Sequence, residues 1–164
     1  MVDPAPGKSC GSCTLCCKVL TIEELQKPAG VYCSHCSIGA GCGVYPERPD
    51  SCRNFSCAWL YSPFMGPELK PEVAHVVIWE WRAGRVVLAD CDLDHPDAWR
   101  APAVINFLRQ TAAKLPPGWL VVVKLGRQSW RITPAAILSE EGDVIGFVEP
   151  RVGPVWRAAL MPRR

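Results

Sequence analysis

Apolar and polar positions alternate differently in the two parts of this chain. From residue 73 onward the pattern is regular. Val73-Ala74-His75-Val76-Val77-Ile78-Trp79-Glu80-Trp81 is rich in β-branched and aromatic residues and predicts a strand. Ala83-Gly84 signals a turn, and Arg85 to Cys91 predicts the returning strand of a hairpin. Pro102 can occupy the first turn of a helix running to about Leu115. Val104, Ile105, Leu108, Ala112 and Leu115 then share one face at helical spacing. Pro116-Pro117-Gly118 ends that helix. Trp119–Leu125 with Gln128–Thr133, and Ala136–Leu138 with Val144–Val148, predict two further strand pairs. The last pair turns through residues 139–143. The order ββ-α-ββ-ββ implies an α+β fold, a mainly antiparallel sheet with one principal helix.

Residues 1–60 lack such periodicity. Gly11, Pro28, Gly30, Gly39, Gly41, Gly43, Pro46 and Pro49 punctuate them. One short helix is expected at Thr21–Gln26, with Thr21 and Glu24 as a capping box and Pro28 beyond its end. So short a stretch, so broken by turns, buries little apolar surface by itself. Residues 61–68 (YSPFMGPE) read as a linker. The expected organisation is a lobe at 1–60 and an α+β region at 61–164, the two packing as one compact unit or standing apart.

Cysteine changes the picture. There are ten, and nine of them (Cys10, Cys13, Cys16, Cys17, Cys33, Cys36, Cys42, Cys52 and Cys57) fall within residues 10–57. MVDPAPGKSC has no basic segment followed by an apolar one, so it does not read as a signal peptide, and no apolar run is long enough to span a bilayer. The expectation is a cytoplasmic protein with reduced thiols, where clustered cysteines read as metal ligands rather than disulfides. Two-residue spacing in Cys10-x2-Cys13-x2-Cys16 and in Cys33-Ser-His-Cys36 lets a tight turn aim two thiolates at one ion. Nine cysteines, with His35 as a further candidate ligand, exceed one tetrahedral site and suffice for two. Neighbouring side chains in an extended segment point to opposite sides, so Cys16 and Cys17 are expected to serve different ions, or one of them to bridge or pack.

Thiolate sites suit both zinc and iron–sulfur clusters. Zinc, most simply two ions, is favoured because it is redox-inert and gives a lobe without a core about 10–16 kcal/mol of folding energy. The competing reading is an iron–sulfur redox or accessory protein serving an enzyme, since Cys10, Cys13 and Cys16 reproduce a Cx2Cx2C run.

CGSCTLCC followed by GCGVYPERPDSCRNFSC resembles the bacterial CxxCxxCC (YkgJ-like) cysteine-cluster family of zinc- or iron-chelating domains. The matching positions are Cys10, Cys13, Cys16 and Cys17, then Cys42, Val44-Tyr45, Arg48-Pro49, Cys52-Arg53, Phe55 and Cys57. The resemblance covers about residues 10–57 and implies metal chelation without one particular reaction. Arg48 and Arg53 lie inside it. Eight thiolates on two divalent ions leave about four negative charges, which guanidinium groups would offset while donating N–H to sulfur.

The remaining signals are weaker. No HExxH, P-loop, GxGxxG or GxSxG motif is present, so no reaction is assigned. His75 reads as a core or sheet-face residue and Cys91 as a buried strand residue. Asp90, Asp92, Asp94, His95 and Asp97 form an acidic cluster that could coordinate a hard cation but lacks a calcium-loop pattern, and a loop leading to a helix, with Asp97 or a neighbour near the helix start, explains it more simply. Residues 98–164 carry ten basic and four acidic side chains, which would offer a protein partner a basic face. Nucleic acid is disfavoured as a partner, because tryptophans in strands pack sheet faces.

Overall fold

The computed structural model describes residues 4–139 and 144–147. Residues 140–143 of the expected last turn, Val148, and Arg151, Arg157, Arg163 and Arg164 of the basic tail lie outside them.

The chain folds as α+β around a six-stranded sheet. Strands β3 (Val76–Trp81) and β4 (Val86–Cys91) form the expected hairpin, with Val76 opposite Cys91 and Trp81 opposite Val86. Helix α5 (Pro102–Lys114) crosses from β4 to β5 (Leu120–Leu125), so these two strands pair in parallel. Such a crossover is how a parallel pair is joined. β6 (Gln128–Ile132), β7 (Ala136–Leu138) and β8 (Val144–Phe147) follow as an antiparallel meander. The strand order is β3-β4-β5-β6-β7-β8.

Period-two alternation gives the sheet two different faces. Val76, Ile78, Val87, Ala89, Val121, Val123 and Ile132 join Val104, Ile105 and Leu108 of α5 in the main core. Trp99, almost wholly buried, stacks on Trp130 there with centroids 5.0 Å apart. Cys91 is buried in the same core, as expected of a strand residue. On the opposite face, Val77 packs against Leu15 and Val19, with Cys13, Cys16, Leu20, Phe55 and Trp79 around them. Phe55 meets Trp79 edge-on at 5.9 Å. Leu15, Val19, Leu20 and Phe55 of the N-terminal lobe therefore lie on one face of β3 while α5 covers the other.

That lobe contains α1 (Leu15–Val19), a small hairpin of β1 (Cys36–Ser37) and β2 (Gly41–Cys42), α2 (Asp50–Asn54) and, at its edge, α3 (Ala58–Tyr61). Several expectations change here. The helix expected at Thr21–Gln26 is a single 3-10 turn, Glu23–Leu25, with no side-chain cap. Glu24 instead accepts hydrogen bonds from the Ser51 amide (2.9 Å) and hydroxyl (2.7 Å), so a long-range contact displaces the capping box. Cys16 and Cys17 lie in a helix rather than an extended segment. Nor do they diverge: although neighbours on a helix are about 100° apart, the two thiols hydrogen-bond to each other.

Within residues 61–68, read from the sequence as a linker, Met65 is buried in the main core. Lys8 donates to the carbonyls of Trp59, Ser62 and Met65 and sits 4.7 Å from the Trp59 ring centroid. The first strand starts later than expected. Val73 and Ala74 belong to α4 (Pro71–Ala74), and His75 closes it in a left-handed conformation (φ 53°). The core or sheet-face position expected for His75 is thus a helix cap.

A buried ion pair fastens the lobe to the end of β4. Lys18, on α1, sits 2.6 Å from both Asp92 and Asp94. Burial opposes both charges of the Lys18–Asp92 pair, but pairing outweighs it. The amine is held above its ordinary range and the Asp92 carboxyl below.

Val77→Ala removes the contact of β3 with α1. It should cost roughly 1–3 kcal/mol. Hydrogen exchange should accelerate in residues 4–57 well before it does in α5 and β5. Uniform acceleration across the chain would show that the lobe does not depend on this face.

Candidate metal centre

The nine clustered cysteines fall into two abutting groups. Cys10 and Cys13 are joined by a turn in which the Cys13 amide donates to the Cys10 carbonyl at 2.9 Å. Gly11 inside that turn has φ 52°, a conformation glycine adopts without strain. Cys16 follows in α1, and Cys57 precedes α3, bridged to Trp79 of β3. Together Cys10, Cys13, Cys16 and Cys57 line a cavity of about 20 Å³ closed by Trp59, Leu60 and Pro71. That is room for one water-sized species.

Backbone amides aim at these sulfurs, those of Leu15 and Glu72 at Cys13 and those of Leu60 and Trp59 at Cys57. Both favour thiolate. Without a cation, burial wins, raising the Cys13 thiol and pushing Cys57 up to about 11.

The second group is Cys17, Cys33, Cys36, Cys42 and Cys52. The Cys33 amide donates to the Cys17 carbonyl at 3.0 Å, and the Cys36 amide to the Cys33 carbonyl at 3.0 Å. The β1–β2 hairpin sets Cys36 directly opposite Cys42. The Cys17 and Cys36 thiols hydrogen-bond, and Cys52 feels the charge of Cys17, Cys33 and Cys42. Burial, with Cys17 beside it, pushes Cys36 up to about 11. Cys17 also contacts Cys16, so the groups touch at the vicinal pair. His35 is exposed, its backbone carbonyl accepting from Gly43 at 2.8 Å.

The thiols are gathered but not closed. Among the described residues, the trio whose donor atoms all lie within 4.8 Å of one another is His75, Asp92 and His95, not a set of sulfurs. Sulfurs around tetrahedral zinc lie about 3.8 Å apart, from a bond of about 2.3 Å. The thiols would have to draw in around an ion.

Positive charge comes largely from residues that motif reading passed over. Lys27 is buried, and its amine donates to the carbonyls of Lys18 (2.7 Å) and Leu20. Burial lowers its pKa, while Cys17, Cys33, Cys16 and Cys52 act in the opposite direction. It is thus a cation held among the second group. Lys70 and Arg48 act on Cys10, and Lys70 also on Cys13. The two arginines are placed differently. Arg48 lies over the Tyr45 ring at 4.1 Å while acting on Cys10. Arg53 donates to the carbonyls of Arg48 (2.7 Å) and Pro46 (3.2 Å), bracing the loop rather than a sulfur. No spacing rule marks Lys27. Only its place between Cys17 and Cys33 hints at it.

Cys91 stands apart in the main core, and burial pushes its thiol up to about 12. Asp97 precedes a 3-10 turn (Ala98–Arg100) without capping it, and pairs with Arg100 at 3.6 Å. Of the basic residues after 98, Arg109 donates to the Pro134 carbonyl, Arg100 lies over Trp99 and Lys124 pairs with Asp90 at 3.9 Å. Trp130 is engaged with Trp99. No helix among the described residues is long and apolar enough to cross a membrane.

No family model, curated protein or solved structure matches this chain.

All ten cysteines are free thiols. Denatured, chelated and unreduced protein should titrate ten per chain. A lower count would reveal disulfides. In the folded, metal-free protein, alkylation followed by peptide mapping should label exposed Cys10 first and buried Cys33 and Cys91 last.

Proposed function

We propose that this is a metal-binding protein whose lobe holds two zinc ions, one in each thiol group, in a structural or interaction role within a reducing, cytoplasmic environment. The observation that carries the reading is the division at Cys16 and Cys17. Cys10, Cys13 and Cys57 gather on the Cys16 side, and Cys33, Cys36, Cys42 and Cys52 gather around Cys17. Four sulfurs complete a tetrahedral site. The first group has four and the second has five, so one cysteine of the second is surplus.

The chemistry of the donors fits zinc. Amides directed at Cys13 and Cys57 are the hydrogen bonds that thiolate ligands accept, and Lys27, Arg48 and Lys70 offset the excess negative charge. Bound zinc would cross-link a lobe whose own apolar contacts are few. The motif similarity to the CxxCxxCC family, on Cys10 to Cys57, supports chelation in general.

The second reading is an iron–sulfur accessory protein. What favours it is the Cx2Cx2C run of Cys10, Cys13 and Cys16. The basic side chains beyond residue 98 support a protein partner in either case.

Elemental analysis of anaerobically purified protein should give two zinc per chain and no visible absorption. Stoichiometric iron and sulfide with a brown colour would replace the reading with the second one. Separate ions further require that Cys57→Ser and Cys36→Ser each leave one zinc, and that the double variant leave none. Loss of all metal in either single variant would mean one joint cluster. Lys27→Met should weaken zinc retention about 10–100-fold in chelator competition, with the Cys57→Ser background showing the same loss. No change would remove Lys27 from the site.

A further inference from the structure

We propose that His75, Asp92 and His95 form a separate site for one exchangeable divalent transition-metal ion. The topology brings them together. Val76 and Cys91 are the last paired residues of the β3–β4 hairpin, so the residues just beyond them, His75 and Asp92, face each other. The Asp92 amide donates to the His75 carbonyl at 3.0 Å. The chain turns after Asp92, and the His95 amide donates to the Asp92 carbonyl at 3.0 Å, which returns His95 to the same spot. The left-handed backbone at His75 completes the arrangement. Few non-glycine residues adopt that conformation, and it commonly marks a local requirement.

The two imidazoles lie face to face, centroids 3.6 Å apart and 11° from parallel. Nδ1 of His95 is 3.4 Å from Oδ2 of Asp92, and one donor atom from each residue lies within 4.8 Å of the others. In a tetrahedral zinc site with bonds of about 2.0–2.1 Å, ligand atoms are about 3.3 Å apart. One separation already has that value. The rest requires turning the half-exposed His95 ring, with the ion replacing the Asp92–His95 hydrogen bond.

Asp92 is held as a ligating carboxylate is held. Its Oδ1 is 2.6 Å from the Lys18 amine and accepts from the Asp94 amide at 3.2 Å. Oδ2 is left toward the imidazoles. A partner that fixes one carboxylate oxygen while the other binds is the usual outer support of a metal site. Two imidazoles and a carboxylate suit zinc, cobalt, nickel, manganese or ferrous iron rather than calcium or magnesium. Three protein ligands leave a position for water. The His95 side chain is 48% exposed, so the ion can exchange with solvent. The donor set is nitrogen and oxygen, unlike the all-sulfur lobe, and the two can be told apart by spectroscopy.

The test uses the full chain as purified, dialysed against cobalt(II) or nickel(II), with metal counted before and after. The wild type should take up one added equivalent. His95→Ala and His75→Asn (asparagine tolerates the left-handed backbone) should take up none, with the resident metal unchanged. Bound cobalt should absorb in the visible region without intense thiolate charge transfer. Equal uptake by all three proteins, or uptake carrying the thiolate band, would overturn the site and leave the pair of rings as packing. Thermal unfolding with chelator shows whether His75→Asn folds. If it does not, His95→Ala decides alone, since His95 is exposed and its loss leaves the fold intact.

Discussion

Strand β3 must be covered on both faces, and the rest of the molecule is arranged around that constraint. Val76 and Val77 are each 0% exposed, yet they point to opposite sides. Val76 and Ile78 complete the core under α5, and Val77 and Trp79 meet the cysteine lobe. The lobe offers little more than Leu15, Val19, Leu20 and Phe55 in return. Its apolar contact orients it, but leaves its turns and loops to be fixed by other means.

Three lysines supply part of what apolar contact does not. Lys8 gathers three carbonyls around α3, and Lys27 gathers those of Lys18 and Leu20. Lys18 reaches from α1 to Asp92 at the far end of the hairpin. Each substitutes a charge-assisted bond for missing core. Lys27 has a second part to play, since thiolates are negative and Lys27 is buried beside them. Lys18 is similarly double, anchoring the lobe while fixing the Asp92 carboxylate beside the His95 imidazole. Fold and site chemistry share the same few cations.

The sheet and α5 were legible because period-two and helical patterns are local and repeat over many residues. Strand ends were less so. Val73 and Ala74 satisfy the strand pattern, but Pro71 starts a helical turn that takes them, and nothing local reveals the left-handed His75. The parallel β4–β5 pair follows from α5 as a crossover, which element order alone leaves open. In the lobe, the cysteine spacings indicate which residues gather, whereas their division depends on α1 and on the pairing of Cys36 with Cys42. Capping-box residues at Thr21 and Glu24 misled because Ser51, distant in sequence, offers Glu24 two donors. Lys27 and the His75–Asp92–His95 group are products of tertiary placement and have no signature in spacing.

If two metal ions, each bound by sulfur, stand in for the core that residues 4–57 lack, the sulfur shell around each ion is the property to measure. X-ray absorption at the metal edge of anaerobically purified protein tests it most directly. A zinc edge with about four sulfurs per ion at about 2.3 Å is the expected result. An iron edge with short iron–iron scattering, or a zinc shell made mainly of nitrogen and oxygen, would contradict it.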